Sequence, residues 1–250
     1  MTHTFQPRSL LMATLGAEPQ VVTATLELLK RQGDRIDRAM VFHTASTEPP
    51  IRQAVERLAE ISRRPPPGAS WDLQLALICD QQGQAVLDVQ TPEQTEAAFR
   101  FLYRQIQAAK LDGWRIHLLI ASGRKTLALF GISAAQLLFD EDDRLWHLYS
   151  AGDFLASRRL YPGPGDEAHL IPIPVTLWSQ VSPALTDLRR IDDPFQAVER
   201  VKRLRLAEKL ERARSFLLGA LTAAEREAVR RLVCDGLSDQ EIGGQLAISP

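Results

Sequence analysis

IHLLIASGRKTLALF, residues 116–130, sets an apolar run, a glycine-bearing turn and a second apolar run in direct succession. The first run predicts a buried strand, and the second predicts a helix from about residue 125 to 139. Glycine at the turn lets the backbone approach a ligand, and a helix N-terminus presents unpaired N–H groups and a partial positive charge. Arg124 and Lys125 add fixed cations, which favours a polyanionic ligand such as phosphate. The alternative is an ordinary turn with solvated charges.

The P-loop spacing G-x-x-x-x-G-K-[ST] is absent from this turn, which excludes that class of phosphate site. Strand and helix patterns alternate on both sides of it. Strands are predicted at 9–16, 39–44, 71–78, 114–121, 145–149 and 169–175, and further helices at 20–32, 49–63 and 92–109. This alternation predicts an α/β fold, a doubly wound, mostly parallel and Rossmann-like sheet covered on both faces, followed by an all-helical C-terminal segment.

Two glycine-bearing turns follow predicted strands, at 15–20 and at 122–126. In open α/β sheets, ligands bind beyond the carboxyl ends of the strands, where the strand order reverses. Because both turns lead from a strand into a helix, we expect them to lie on that same edge. Together they predict one shared ligand pocket.

The composition limits the class of protein to which the chain can belong. The chain is 45% apolar and 24% charged, as ordinary soluble globular proteins are. A net charge of −1 gives no general affinity for polyanions, so such binding must come from local sites. Cys79 and Cys234 are far apart in the chain, which fits a reduced protein without a disulfide framework or a Cys-rich zinc site.

Localisation and metal content follow from what the sequence lacks. It has no signal-peptide pattern and no run of about 18 apolar residues, so we expect a cytoplasmic protein without membrane contact. The five histidines are scattered, without a spacing typical of metal ligands. We therefore expect no metal and no cofactor.

The strand pattern ends near residue 179, and we predict three parts, 1–178, 179–218 and 219–250. Residues 195–218 are charged, helical and rich in arginine and leucine. We interpret them as an amphipathic connector or dimerisation helix rather than a nucleic-acid-binding patch.

The last part carries two helix-start signals. Thr222 and Glu225 form a capping box, Gly236 ends that helix, and Ser238 with Glu241 starts the next. The segment 221–250 resembles the helix-turn-helix of LuxR-type transcription regulators. The helix that reads the major groove in such motifs would begin only after Pro250, so DNA binding by this chain is not expected.

The segments 11–26 and 121–126 together are similar to CRISPR-associated Rossmann-fold (CARF) proteins. They look most like the branch that contains the ring nucleases of type III CRISPR systems. In that branch a first turn of the form T-G-x-S-P-Q-V-V-T-E-T-L and a later turn of the form G-G-R-K-T recur. The resemblance covers about residues 8–178.

The resemblance implies a role in antiviral defence. Such domains form homodimers that bind cyclic oligoadenylate, usually the tetra-adenylate ring, across the dimer axis. Some members sense the ring and switch an attached effector. Others cut it to linear di-adenylate ending in a 2′,3′-cyclic phosphate, with the ligand's own 2′-hydroxyl as nucleophile. That chemistry needs alignment and charge stabilisation and requires no metal.

The resemblance also implies roles for particular residues. Lys125 and Ser122 are the expected catalytic residues: Lys125 would stabilise the transition state, and Ser122 would hold the phosphate together with Gly123 and Arg124. The expected ligand contacts are Gly16, Ala17, Glu18, Gln20, His43, Thr44, Gly123, Arg124 and Thr126.

Glu18 stands where the family pattern has serine, which puts cleavage in question more than binding, because a carboxylate repels phosphate unless it turns outward or acts as a base. His43, Thr44 and Ser46 lie on the predicted edge and could replace the hydroxyl, although His43 is equally well explained as a partly buried structural histidine.

Three hypotheses stay open at this point. The first is a metal-independent ring nuclease, and the second is a cyclic-oligoadenylate sensor that regulates transcription. The third is a nucleotide- or phosphate-binding enzyme of the general doubly wound class.

Overall fold

Six strands form one sheet in the computed structural model, which describes residues 8–120, 123–151, 154–177, 188 and 190–246. The strands are β1 (Ser9–Thr14), β2 (Arg38–His43), β3 (Asp72–Leu77), β4 (Arg115–Leu119), β5 (Arg144–Ser150) and β6 (Ala168–Ile173). Their spatial order is β3-β2-β1-β4-β5-β6, and every neighbouring pair is parallel except β5 and β6. The predicted doubly wound, mostly parallel α/β sheet is confirmed.

The helices alternate with the strands as the sequence predicts. They are α1 (Gln20–Arg31), α2 (Pro49–Arg63), α3 (Pro92–Leu111), α4 (Lys125–Leu138), α5 (Pro194–Gly219), α6 (Ala223–Cys234) and α7 (Asp239–Leu246). Proline occupies the first turns of α2 and α3, where its missing N–H is not needed. Thr91 and Gln94 add a complete capping box to α3.

Strand β1 is the centre of the sheet, and all six of its residues are buried. Leu11 pairs with Ala39 of β2 on one side and with His117 of β4 on the other. A strand buried on both faces needs an almost continuous apolar run, which SLLMAT supplies. The chain winds outward from β1 in both directions, so the strand order reverses between β1 and β4.

The connection between β5 and β6 packs over α1. The amide of Gln20 donates to the carbonyl of Leu155 (Nε2–O 3.0 Å), Thr23 donates to the carbonyl of Leu160, and Arg31 donates to the carbonyl of Pro162 (Nη2–O 2.9 Å). Because three side chains of one helix bind its backbone, this connection is fixed in place at the surface of the sheet domain.

The chain divides into two compact units, Met1–Ala197 and Val198–Pro250, with the division inside α5. The predicted division at 178 and 218 stays a prediction. In the second unit, Thr222 and Glu225 form the expected capping box, and Ser238 and Glu241 form another (Ser238 N–Glu241 Oε2 2.8 Å). Gly236 has a φ of 67°, which suits the turn that ends α6. Residues 247–250, the predicted turn into a third helix, lie outside the described residues.

Among the described residues, no helix is both long and apolar enough to span a membrane.

Candidate functional site

The two glycine-bearing turns touch each other at the carboxyl edge of the sheet. Gly123 has a φ of 87°, in the left-handed region that favours glycine. A Cβ at this position would lie 3.2 Å from Thr14 Oγ1 and 3.4 Å from the carbonyl oxygen of Leu15. Both the conformation and the close approach to the end of β1 therefore require glycine here.

A pocket of about 170 Å³ lies where these turns meet, beside the reversal of strand order between β1 and β4. We call it the switch-point pocket. It unites five predicted ligand residues from three segments with four others. Its lining consists of Leu15, Gly16, Ala17, Thr44, Glu48, Ile51, Gly123, Arg124 and Leu127.

Arg124 is held at this pocket by two carboxylates. Its Nε donates to Asp88 (Nε–Oδ1 2.8 Å), and its Nη2 donates to both Asp88 and Glu48 (Nη2–Glu48 Oε1 2.9 Å). Within the part of the chain that the structure describes, Nη1 has no such partner. Partial burial raises the pKa of Asp88, but the hydrogen bonds from Arg124 outweigh this, and the pKa lies below its ordinary value. The pair therefore stays ionised at neutral pH.

Sequence reasoning missed Asp88 and Glu48. Asp88 lies in the connection from β3 to α3, which is anchored by a bond from the Ala45 amide to the Val86 carbonyl (2.8 Å). Glu48 directly precedes α2. Each belongs to a strand-to-helix connection, and in a parallel sheet all such connections lie on the ligand edge. That rule, applied to acidic residues as well as basic ones, was the available signal.

Lys125 is the first residue of α4 and is exposed. Its ammonium group makes no hydrogen bond or ion pair to the described residues, and the N-terminus of α4 has no side-chain cap. Thr126 follows it, half-buried. This helix end keeps free N–H groups and a nearby cation, the arrangement that binds anions at helix N-termini. Ser122 lies outside the described residues.

Glu18 and Gln20 belong to a neighbouring cavity of about 260 Å³ rather than to the switch-point pocket. Gln20 is only 1% exposed, and its amide donates to Glu18 as well as to the Leu155 carbonyl. The Glu18 carboxylate is thus bound on the side of α1. The predicted contacts of both residues with a ligand stay predictions.

Of the three residues that would replace the missing serine hydroxyl, Thr44 lines the switch-point pocket. The ring of half-buried His43 lies with Nδ1 3.1 Å from the carbonyl oxygen of Thr44, so Nδ1 carries the proton and donates it. Ser46 accepts from the amide of Glu48 (3.2 Å) and so supports the turn before α2. Among the described residues there is no group of three or more His, Cys, Asp or Glu arranged to hold a metal ion.

Residues 18–204 match the family of CRISPR-associated protein NE0113. The chain belongs to that family. The matched stretch contains the second glycine-bearing turn, both carboxylates that hold Arg124, and most of the sheet. No curated protein matches this member of the NE0113 family.

A solved structure that resembles this NE0113-family chain is Csm6 of Enterococcus italicus bound to cyclic hexa-2′-fluoro-hexa-dAMP. The two chains are 12% identical, with a TM-score of 0.43. The match covers 96% of this chain and 64% of Csm6, so this chain spans less than two thirds of that protein.

Proposed function

We propose that this CRISPR-associated protein binds cyclic oligoadenylate, with the tetra-adenylate ring as the expected ligand, across the axis of a homodimer. The observation that carries the proposal is the meeting of the Gly16–Ala17 turn and the Gly123–Arg124 turn in one pocket. These are the two segments on which the resemblance to CARF proteins rests. The NE0113 family match independently places the chain in CRISPR biology.

The switch-point pocket offers the groups that a phosphodiester ring needs. The N-terminus of α4 supplies backbone N–H groups, and Arg124 supplies the two Nη1 donors that Asp88 and Glu48 leave unused. Glycines at both turns let the backbone approach the phosphates. In a homodimer these elements occur twice around one ring, which matches the repeated phosphates of a cyclic oligonucleotide.

We further propose that the protein cuts the ring without a metal. A ribose 2′-oxygen attacks the adjacent phosphorus, the bond to the 5′-oxygen breaks, and the 5′-oxygen takes up a proton while the 2′-hydroxyl loses one to solvent. The product ends in a 2′,3′-cyclic phosphate, and two cuts give di-adenylate. Lys125 stabilises the negative charge that builds up on the phosphate oxygens in the transition state. It directly follows the pocket residue Arg124, and its ammonium group has no hydrogen bond or ion pair to the described residues.

Two observations keep a non-catalytic sensor as the second candidate. Glu18 occupies the place of the serine in the family pattern, and α6 and α7 begin with the two capping boxes on which the resemblance to LuxR-type regulators rests. In this alternative, binding of the ring controls the activity of the second unit, which regulates transcription. A general phosphate-binding enzyme without a link to CRISPR is disfavoured by the family match.

The test is incubation of the purified chain with labelled cyclic tetra-adenylate in EDTA. We expect di-adenylate with a cyclic phosphate from the wild type, and loss of product from Lys125→Ala. Lys30→Ala, which removes an exposed lysine at the far end of α1, serves as the matched control and should keep full activity. Tight binding without product supports the sensor, and absence of binding overturns both.

A further inference from the structure

Two more cavities continue from the switch-point pocket along α2. The first, of about 260 Å³, shares Ala17 with that pocket and reaches Arg57. The second, of about 610 Å³, shares Arg57 and Leu160 with the first and extends to Arg64 at the end of the helix. We call these two cavities together the α2 groove. It runs from the ligand edge of the sheet along the length of α2.

Arginines line both walls of the α2 groove. Arg57, Arg63 and Arg64 stand on the α2 side, and Arg158 stands on the connection between β5 and β6. The carboxylates in the lining are Glu18 and Glu60. The groove is therefore positively charged, although the whole chain has a net charge of −1.

The carboxylates leave part of this charge uncompensated. Glu60 pairs with Arg57 (Nη1–Oε2 2.9 Å), and Glu18 is bound by Gln20. The guanidinium groups of Arg64 and Arg158 make no hydrogen bond or ion pair to any residue that the structure describes. One free guanidinium group, that of Arg64, thus lines the larger cavity of the groove, and the other, that of Arg158, lines the smaller one. Two cations at separate places along one groove suit a ligand with several anionic groups.

The segment that carries Arg158 is fixed by hydrogen bonds from α1. Gln20, Thr23 and Arg31 bind its backbone on either side of Arg158. Arg158 itself has a φ of 56°, in the left-handed region that a residue with a Cβ rarely adopts. Such conformations persist where the surrounding structure fixes them, and they concentrate at ligand-binding sites.

We propose that the α2 groove binds the phosphodiester backbone of a linear single-stranded oligonucleotide, with Arg64 and Arg158 each holding a phosphate. The planar guanidinium fork matches phosphate oxygens, and Leu160 and Ile61 give an apolar surface for ribose or base. Cavities of about 260 and 610 Å³ match a few nucleotides of a single strand, whose unpaired bases can reach these apolar residues. This proposal rests on the proposed function in one respect only, which is that the groove adjoins the switch-point pocket at Ala17.

The test is a salt titration of the binding of fluorescein-labelled linear hexa-adenylate, followed by anisotropy. We expect the double variant Arg64→Gln/Arg158→Gln to weaken binding about tenfold at low salt. It should also reduce the slope of log K against log salt by about 1.4, since each phosphate contact to a single strand contributes about 0.7. Arg35→Gln/Arg52→Gln removes the same charge from arginines of the same unit outside the groove, and should change the affinity less than twofold.

Three outcomes overturn the proposal: an unchanged affinity and slope in the groove variant, an equal loss in the control variant, and equally tight, groove-dependent binding of a poly-glutamate peptide. Arg64 and Arg158 are exposed, so the variant should keep the circular dichroism spectrum of the wild type. If Arg158→Gln impairs folding, Arg64→Gln alone should still reduce the slope by about 0.7.

Parallel measurements with cyclic tetra-adenylate separate this proposal from the proposed function. If linear hexa-adenylate binds in a way that depends on Arg64 and Arg158 while cyclic tetra-adenylate does not bind, the groove proposal is supported and the proposed ring site is overturned. If the ring binds normally and the double variant does not change the binding of linear hexa-adenylate, only the groove proposal is overturned.

Discussion

His117 is a neutral buried histidine in the middle of the sheet. Its Nδ1 accepts from the indole of Trp146 (Nε1–Nδ1 3.1 Å), and the two rings are nearly parallel, with an interplanar angle of 6° and centroids 6.2 Å apart. The proton therefore sits on Nε2, which is buried without a hydrogen-bond partner among the described residues. Burial lowers the pKa of His117 to about 4, and the charge of Arg115 contributes in the same direction.

This depressed pKa predicts a loss of stability in mild acid. Between pH 6.5 and 4 the unfolded chain binds a proton at His117 that the folded chain does not, so the free energy of unfolding falls as the pH falls. The contribution is on the order of 2 kcal/mol between pH 7 and pH 4.5. Urea unfolding at the two pH values measures it. His117→Gln keeps an acceptor for Trp146 and cannot titrate, so it should lose this part of the pH dependence. An equal pH dependence in the variant would contradict the assignment.

Gly123 is the residue of the ligand site whose conformation and surroundings require glycine. In Gly123→Ala, the left-handed conformation and the new contact with Thr14 Oγ1 should destabilise the turn by about 1–2 kcal/mol. The displaced turn should also weaken cyclic tetra-adenylate binding at least tenfold. Gly165→Ala, with nothing within 4 Å of the added Cβ, is the matched control and should leave both properties unchanged. Thermal melts and a binding titration measure the two effects, and normal ring binding by Gly123→Ala would count against the pocket.

At the scale of elements, a buried ion pair joins α3 to the starts of β4 and β5. Lys110 near the end of α3 donates to Asp143 (Nζ–Oδ2 2.7 Å), and Asp143 also accepts from the amide of Ile116 (2.7 Å). The Asp143 side chain is fully buried and the Lys110 side chain is 6% exposed. This pair fixes the end of the sheet opposite the ligand edge.

Lys110 also pairs with Asp140 (Nζ–Oδ2 2.8 Å), so it would keep a partner if Asp143 were removed. Removal of Lys110 instead leaves the buried Asp143 carboxylate without a cation, so Lys110→Ala should lower the free energy of unfolding by about 3–5 kcal/mol. Glu60→Ala breaks the exposed pair with Arg57 and should lower it by less than about 1 kcal/mol. Chemical denaturation of both variants tests the contrast. Similar small effects would show that the buried pair contributes no more than a surface one.

The sequence predicts most elements well because their signals are local. The apolar runs of β1 and β4, Pro49 at the start of α2 and the Thr91 cap of α3 each depend on a few neighbouring residues. The meeting of the two glycine turns also followed from one topological rule.

The network around Arg124 could not be predicted in the same way. Asp88 is 36 residues from Arg124 and Glu48 is 76 residues away, and neither contact leaves a periodic pattern in the sequence. The inward direction of Gln20 likewise depends on Leu155, a residue 135 positions later. Side-chain contacts between distant segments are set by the packed fold, so single-sequence reasoning places such residues on an edge without giving their partners.

At the scale of the whole molecule, the proposed ring site requires two copies of the chain. The switch-point pocket, at about 170 Å³, is small for an entire cyclic oligonucleotide, whereas it suits one phosphate and its neighbours. Two such pockets that face each other across a two-fold axis would share one ring, because an isologous interface presents the same groups from both partners.

This symmetry predicts the stoichiometry of binding. Calorimetric titration with cyclic tetra-adenylate should give one ring per two chains, and sedimentation should give a particle of twice the 27.9 kDa chain mass. In the proposed mechanism Lys125 acts on the transition state, so Lys125→Ala should keep this ratio while product formation stops. The proposed site exists only in the folded dimer, so a ring concentration of 100 times its Kd should also raise the free energy of unfolding by about 2.7 kcal/mol per dimer. One ring per chain in a monomeric particle would contradict the shared site, and each pocket would then have to bind a ring by itself.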